Sequence, residues 1–227
     1  MNKIKIITIF LIIILGGCAE RWTPPVSEHD SDIIQWSRSN VEKCRAQIGD
    51  TGVSVAADGR LGCFFDEISD SNVKKFIDQG GKDVRVIVVN SGGGEVDAAI
   101  DVGEIILSND VTIIVSGFCL SSCANYWFTS AKYKIVLSDS FVAWHGGPSY
   151  SLLSKEKSDE YNSNIMKKIN RSDAFMERAG VRKNLFLDWP DDWPDDRKIP
   201  GSPYMWSYDK EKLERDFNVK GILYYQN

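Results

Sequence analysis

A serine, a histidine and a run of glycines stand in an order that could carry acyl transfer. Asn90-Ser91-Gly92-Gly93-Gly94 follows the apolar run Val84 to Val89, Gly117-Phe118-Cys119-Leu120-Ser121-Ser122-Cys123-Ala124 follows Val111 to Val115, and His145 comes later. Acyl transfer by serine needs a hydroxyl at an exposed bend, a base for its proton and backbone N–H donors for the tetrahedral oxyanion. Glycines after a strand leave N–H groups bare, because a residue without Cβ lets the chain approach a ligand closely and tolerates positive φ. Ser121 opens a helix-like stretch, Ser122 to Thr129. The N–H after it would point into the same space, at a helix end that favours negative charge.

The base is narrowed by scarcity. The chain has 2 histidines, and His29 lies in a polar segment far from the glycines. His145 follows the strand-like run Phe141-Val142-Ala143-Trp144 and precedes Gly146-Gly147-Pro148, where a strand ends in a turn. It stands 24 residues after Ser121. Taken singly, each feature has an ordinary explanation: a turn, a pair of helix-capping serines, a structural histidine. Their joint order and spacing is the argument for chemistry.

The arrangement from Gly62 to Gly147 resembles the ClpP/crotonase superfamily and, within it, ClpP-like serine peptidases. There an apolar strand ends in Asn-Ser-Pro-Gly-Gly, a helix follows, and the next strand ends in a Gly-x-x-x-Ser turn, with a histidine about two dozen residues on. The resemblance implies repeated β-β-α units with a mainly parallel sheet covered by helices. It also implies Gly93 and Gly94 as oxyanion-loop glycines, Ser121 as nucleophile, Ser122 as donor of the second oxyanion N–H and His145 as base. Gly92 stands where the family has proline, which loosens the loop without removing a donor.

The carry-over stops at the third triad member. The family's aspartate would fall near Pro203, in Ser202-Pro203-Tyr204-Met205-Trp206-Ser207, where no carboxylate stands. Asp195 and Asp196 are candidates if the intervening loop is longer than in the relatives, and a dyad with a backbone or hydroxyl orienter is open. Related signal-peptide peptidases use lysine, which makes Ser121 with Lys132 or Lys134 a variant.

Lys3 and Lys5 precede the apolar stretch Ile6 to Leu15, too short to span a bilayer comfortably but suited to a signal-peptide core. Leu15-Gly16-Gly17-Cys18 then resembles the lipobox of bacterial lipoproteins, which implies a signal peptide over 1–17 and fatty acylation, palmitate included, at Cys18. Ala19 and Glu20, with no aspartate beside the cysteine, favour the outer membrane over the inner under the usual sorting rule. The remaining protein would face the periplasm on a tether over 18–30, stiffened by Pro24-Pro25, with one ClpP-like α/β domain over 31–227. Loss of Lys3 and Lys5 moves the formal charge from −5 to −7. Nucleic acid is therefore not an expected partner, since phosphate binding needs clustered Lys and Arg.

The hydropathy pattern places the elements. A helix is expected over Ser31 to Ala46, strands over Val53 to Ala56 and Leu61 to Phe65 joined at Asp58-Gly59, and a helix over Ser71 to Gln79. Val84 to Val89 reads as a strand covered on both faces. Glu95 to Leu107 has apolar residues at helical intervals and closes a βαβ unit with Val111 to Val115. Tyr133 to Leu137 and Phe141 to Trp144 add strands, Leu153 to Ala179 a long helix, and Asp209 to Phe217 resembles the family's last helix. Alternating strands and helices argue for the α/β class.

Cys44, Cys63, Cys119 and Cys123 remain once Cys18 is set aside. An oxidising compartment permits disulfides, three pairings are open, and spacing does not choose among them. A Cys119–Cys123 bridge would clamp the Ser121 turn, while their i, i+4 spacing suits two free thiols equally. No metal site or cofactor is expected. Asp188-Trp189-Pro190-Asp191-Asp192-Trp193-Pro194-Asp195-Asp196 is a tandem repeat that reads as a surface loop, a lid or contact surface if its tryptophans are exposed. The resemblance implies a membrane-tethered periplasmic serine peptidase acting on peptides or unfolded segments; crotonase chemistry is disfavoured because coenzyme A is not expected there. From a different class, a ClpP-like binding protein without turnover would dock a peptide or envelope partner. Assembly of several copies stays open.

Overall fold

The computed structural model describes residues 22–25, 29–186, 198–199 and 202–225. The signal-peptide stretch, Cys18, the Trp-Pro-Asp repeat, and Asp195 and Asp196 lie outside the described residues. After helix α1 (Asp30–Ile48), the hairpin β1 (Gly52–Val55) and β2 (Leu61–Phe65) opens the sheet. Helix α2 (Asp70–Asp78) leads to β3 (Val86–Ser91), helix α3 (Val96–Ser108) to β4 (Thr112–Leu120), and a π-helical segment (Cys123–Phe128) to β5 (Tyr133–Val136) and β6 (Phe141–Ala143). Helix α4 (Asp159–Ala179), the short strands β7 (Lys198–Ile199) and β8 (Ser202–Trp206), helix α5 (Lys210–Phe217) and β9 (Ile222–Tyr225) complete the order.

The class is α/β, with a mixed sheet of mostly parallel strands. The sheet runs β1-β2-β3-β4-β5-β9, with β6 paired to β4 beside it; only the β1–β2 pair in it is antiparallel. Alternation along β3 explains why both faces must be covered. Val86 and Val88 join Ile33, Val41 and Leu61 on the α1 side, while Ile87 and Val89 join Phe76, Val102 and Trp127 on the other. Each such side chain withdrawn from water contributes about 1.5–3 kcal/mol. A Cys44–Cys63 disulfide fastens α1 to β2.

Beyond shifts of a residue or two at element ends, two boundaries and one edge strand differ from expectation. β4 runs five residues beyond Val115, because β6 supplies a second partner. The long helix begins at Asp159 rather than Leu153. Ser154 and Asn162 exchange two hydrogen bonds (3.1 and 2.8 Å) that hold the intervening chain in a turn, and Ser158 caps the helix by accepting from the Tyr161 N–H. β9, at the end of the described chain, is an edge strand beside β5 that the hydropathy reading did not anticipate.

Candidate active site

The site begins with a fault in the sheet. β3 and β4 are in register through Val89 and Val115, but Ser91 then pairs with Cys119, so Ser116, Gly117 and Phe118 stand opposite Asn90 alone. The amides displaced by the bulge are satisfied locally. Phe118 N–H donates to Asn90 Oδ1 (3.1 Å) and Gly117 N–H to Ser140 Oγ (2.8 Å). Beyond the bulge, Phe118 to Leu120 pair in parallel with β6, Leu120 opposite Ala143, and Ser121 N–H extends the ladder to the Ala143 carbonyl (3.0 Å). Two parallel strands ending side by side bring the next residues of each to one edge, and there Ser121 Oγ and His145 Nε2 lie 2.6 Å apart.

Ser121 occupies the left-handed region (φ 53°), uncommon for a residue with a Cβ. Such a strained strand-to-helix turn lifts a hydroxyl clear of the backbone on either side. The turn is enforced from both flanks: a Cys119–Cys123 disulfide spans it, and Asn125 N–H donates to the Ser121 carbonyl at 2.8 Å. The π-helical segment behind it is buried throughout. Trp127 Nε1 donates to the Ala99 carbonyl (2.8 Å) and Tyr126 shares a 3.0 Å hydrogen bond with Ser172, tying the turn to α3 and α4. Burial holds the Tyr126 hydroxyl protonated, its pKa pushed up to about 12.

The glycine loop faces this turn. Ile68 N–H donates to Gly93 O (2.8 Å), Glu95 N–H to Ile68 O (2.7 Å), and Ser122 Oγ to Gly94 O (2.8 Å). Both Gly93 (φ 87°) and Gly94 (φ 147°) have backbone that side chains rarely adopt, and a Cβ would lie 2.5 Å from Leu120 O in the first case and 2.2 Å from Ile68 O in the second. A Cβ on Gly92 would meet nothing within 4 Å. Gly93 N–H is taken by Ser91 Oγ at 3.2 Å, so this residue serves by its smallness. Among the described residues, the N–H groups of Gly94 and Ser122 have no partner, which leaves two donors beside Ser121.

His145 is exposed, and the residue before it is clamped: Trp144 and Trp206 exchange two backbone hydrogen bonds of 2.9 Å. The segment around Pro203 is thus β8, adjoining the His145 strand. Among the described residues no carboxylate pairs with His145. The lysine variants do not fit. Lys132 Nζ is bound to Asp110 (2.7 Å), and Lys134 Nζ donates to the Lys220 carbonyl (2.7 Å) and the Ala131 carbonyl, at the far end of the π-helical segment. Their places on either side of the β5 start direct them away from the carboxyl edge where Ser121 lies.

A cavity of about 590 Å³ opens at the pair. Gly94, Ser121, Ser122 and His145 line it with the apolar walls Val96, Leu152, Ile165, Phe186 and Trp206. Asn125 and Lys168 are among the lining residues that the sequence did not mark. Asn125, one helical turn after Ser121, donates from Nδ2 to the Gly146 carbonyl (3.1 Å) and so links the Ser121 turn to the chain after His145, while its buried Oδ1 has no partner among the described residues. Lys168 arrives from α4; its i+3 spacing from Ile165 was a visible signal, but nothing local says what that face meets. Neither the family models nor the curated proteins include a match to this chain.

Proposed function

We propose that the protein is a serine hydrolase of the ClpP/crotonase superfamily, a peptidase of ClpP type, with Ser121 as nucleophile and His145 as base. The observation that carries this reading is the 2.6 Å Ser121–His145 contact at a strained turn, beside two N–H groups that have no partner among the described residues. In the first step Oγ attacks the acyl carbon, its proton passes to Nε2, and Gly94 and Ser122 N–H groups stabilise the oxyanion. His145 then protonates the leaving amine as the C–N bond breaks, leaving an acyl ester on Ser121. Water attacks that ester and gives a proton to His145; as the C–Oγ bond breaks, His145 returns that proton to Ser121 Oγ and the carboxylic acid leaves.

The lipobox-like Leu15 to Cys18 supports a lipid-anchored place in the bacterial envelope, facing the periplasm, and the two disulfides suit an oxidising compartment. Peptides or unfolded segments are the substrate class this reading favours. A binding protein without turnover is the second reading, favoured by the absence of a carboxylate on His145 among the described residues.

Mass spectrometry after reaction with a fluorophosphonate tests the choice. Labelling at Ser121 that is lost in Ser121→Ala and slowed at least about 100-fold in His145→Ala is the expected result. A folded wild-type protein that stays unlabelled would transfer the assignment to the binding reading.

A further inference from the structure

Helix α4 turns one stripe toward the molecule: Ile169, Ser172, Phe175 and Met176 are buried on it, and Ile165 continues it into the cavity wall. Lys168 falls on this stripe, three residues after Ile165 and four before Ser172, where helical spacing calls for an apolar residue. It lines the cavity and is half-buried, whereas its neighbour Lys167 is exposed. Among the described residues Lys168 has no ion-pair or hydrogen-bond partner. Ion pairs with α3 help fix the face that α4 presents: Arg171 binds Asp97 (2.9 Å) and Asp101 (2.5 Å), and Arg178 binds Glu104. Among the described residues, Lys168 and His145 are the titratable side chains lining the cavity, and no carboxylate lines it.

A lysine lining an apolar-walled cavity, with no counter-ion among the described residues, gains most from an anion that arrives with the ligand, since charge attraction strengthens as water is excluded. We infer that Lys168 sets the specificity of this site by receiving a carboxylate on the substrate, whose apolar portion lies against Val96, Leu152, Ile165 and Phe186. The inference rests on the serine hydrolase reading and names its substrate class: acyl compounds, peptides among them, that carry a carboxylate beside an apolar group. The carboxylate has two sources, an acidic side chain or a free C-terminus.

Matched alkyl fluorophosphonates that differ in ending as a carboxylate or as its methyl ester, made at several chain lengths, test it by their rates of labelling Ser121. At the best length the carboxylate probe reacts at least about tenfold faster, the equivalent of about 1.4 kcal/mol. Lys168→Gln removes that preference and Lys168→Glu reverses it, each read as the ratio of the two probes' rates within one variant. Lys167→Gln, the same change in net charge one residue away, leaves the preference in place. Competition by a glutamate-containing peptide amide against a neutral peptide with a free C-terminus then assigns the source. Equal rates for both probes in wild type and Lys168→Gln overturn the inference and leave the hydrolase reading standing. Failure of both probes to label Ser121 removes the hydrolase reading, and the inference with it.

Discussion

The two halves of the site are held by different means. The nucleophile half is fastened from every side: a bulge whose amides are satisfied by Asn90 and Ser140, a disulfide across the turn, buried aromatic residues behind it and a glycine loop pressed against it. The base half hangs from one strand end, clamped at Trp144 by Trp206, with His145 exposed and its ring bonded to Ser121 alone among the described residues. The difference suits the chemistry proposed for each. An oxyanion site works only if its donors are fixed before charge develops. A proton carrier must reach both the nucleophile and the leaving group, and tolerates a looser mount.

The glycine loop should break this comparison most severely. Gly94→Ala puts a methyl group 2.2 Å from the Ile68 carbonyl and shifts the N–H beside Ser121. The expected loss in kcat is about 10²–10³, the range for a lost oxyanion donor. Gly92→Ala, with open space around its Cβ, should retain activity within about threefold of wild type, since ordinary surface changes stay within about 0.5 kcal/mol. Turnover of an activated ester by the two variants checks both expectations.

The disulfides separate stability from activity. Loop-closure entropy predicts about 3 kcal/mol from Cys44–Cys63, whose partners are 19 residues apart, and about 2 kcal/mol from Cys119–Cys123, 4 apart. Replacing the first pair with alanine should therefore cost more in urea unfolding. Replacing the second should cost less there and more in kcat, because of the two bridges it is the one that spans the turn presenting Ser121. Equal activity in the two double variants would mean that the π-helical segment suffices to hold the nucleophile.

Asn125 joins the halves, and Asn125→Ala should lose about 1 kcal/mol for its hydrogen bond to Gly146. The effect should appear in kcat rather than KM, as the chain after His145 loosens. A KM change alone would make Asn125 a substrate contact instead.

How far the site was legible depends on the range over which its causes act. The β3 strand could be read because burial on both faces leaves an unbroken apolar run, and the β1–β2 hairpin because Asp58-Gly59 is turn chemistry. Ser121 and His145 were visible as residue types in order. The bulge was not, because it depends on Asn90 and Ser140 reaching across strands to amides that hydropathy does not report. The pairing of four cysteines was undecidable for the same reason. Lys168 was hidden by distance: its spacing from Ile165 marks a helix face, but it is contacts remote in sequence, the ion pairs with α3 and the Tyr126–Ser172 hydrogen bond, that turn that face to the cavity.

The mildest perturbation acts beneath the nucleophile half. Lys134 is buried on β5, where its amine meets the carbonyls of Ala131 and Lys220 and lies 6.0 Å from the Phe128 ring centroid. Those contacts favour the ammonium, yet burial opposes it more strongly and lowers its pKa from 10.5 to about 7. The folded value is the lower one, so between pH 7 and 10.5 the folded lysine is largely neutral while the unfolded lysine stays protonated. Unfolding then takes up a proton, and raising the pH opposes it. Stability should rise through this window, by at most about 1.4 kcal/mol per pH unit, and the contribution should be flat below it. The difference in urea midpoint between wild type and Lys134→Met at pH 7 and pH 8 isolates this one group. A difference that does not move in favour of the wild type with pH would mean that the two carbonyls keep the amine charged, and that the end of the nucleophile segment is anchored by an ion rather than by a neutral donor.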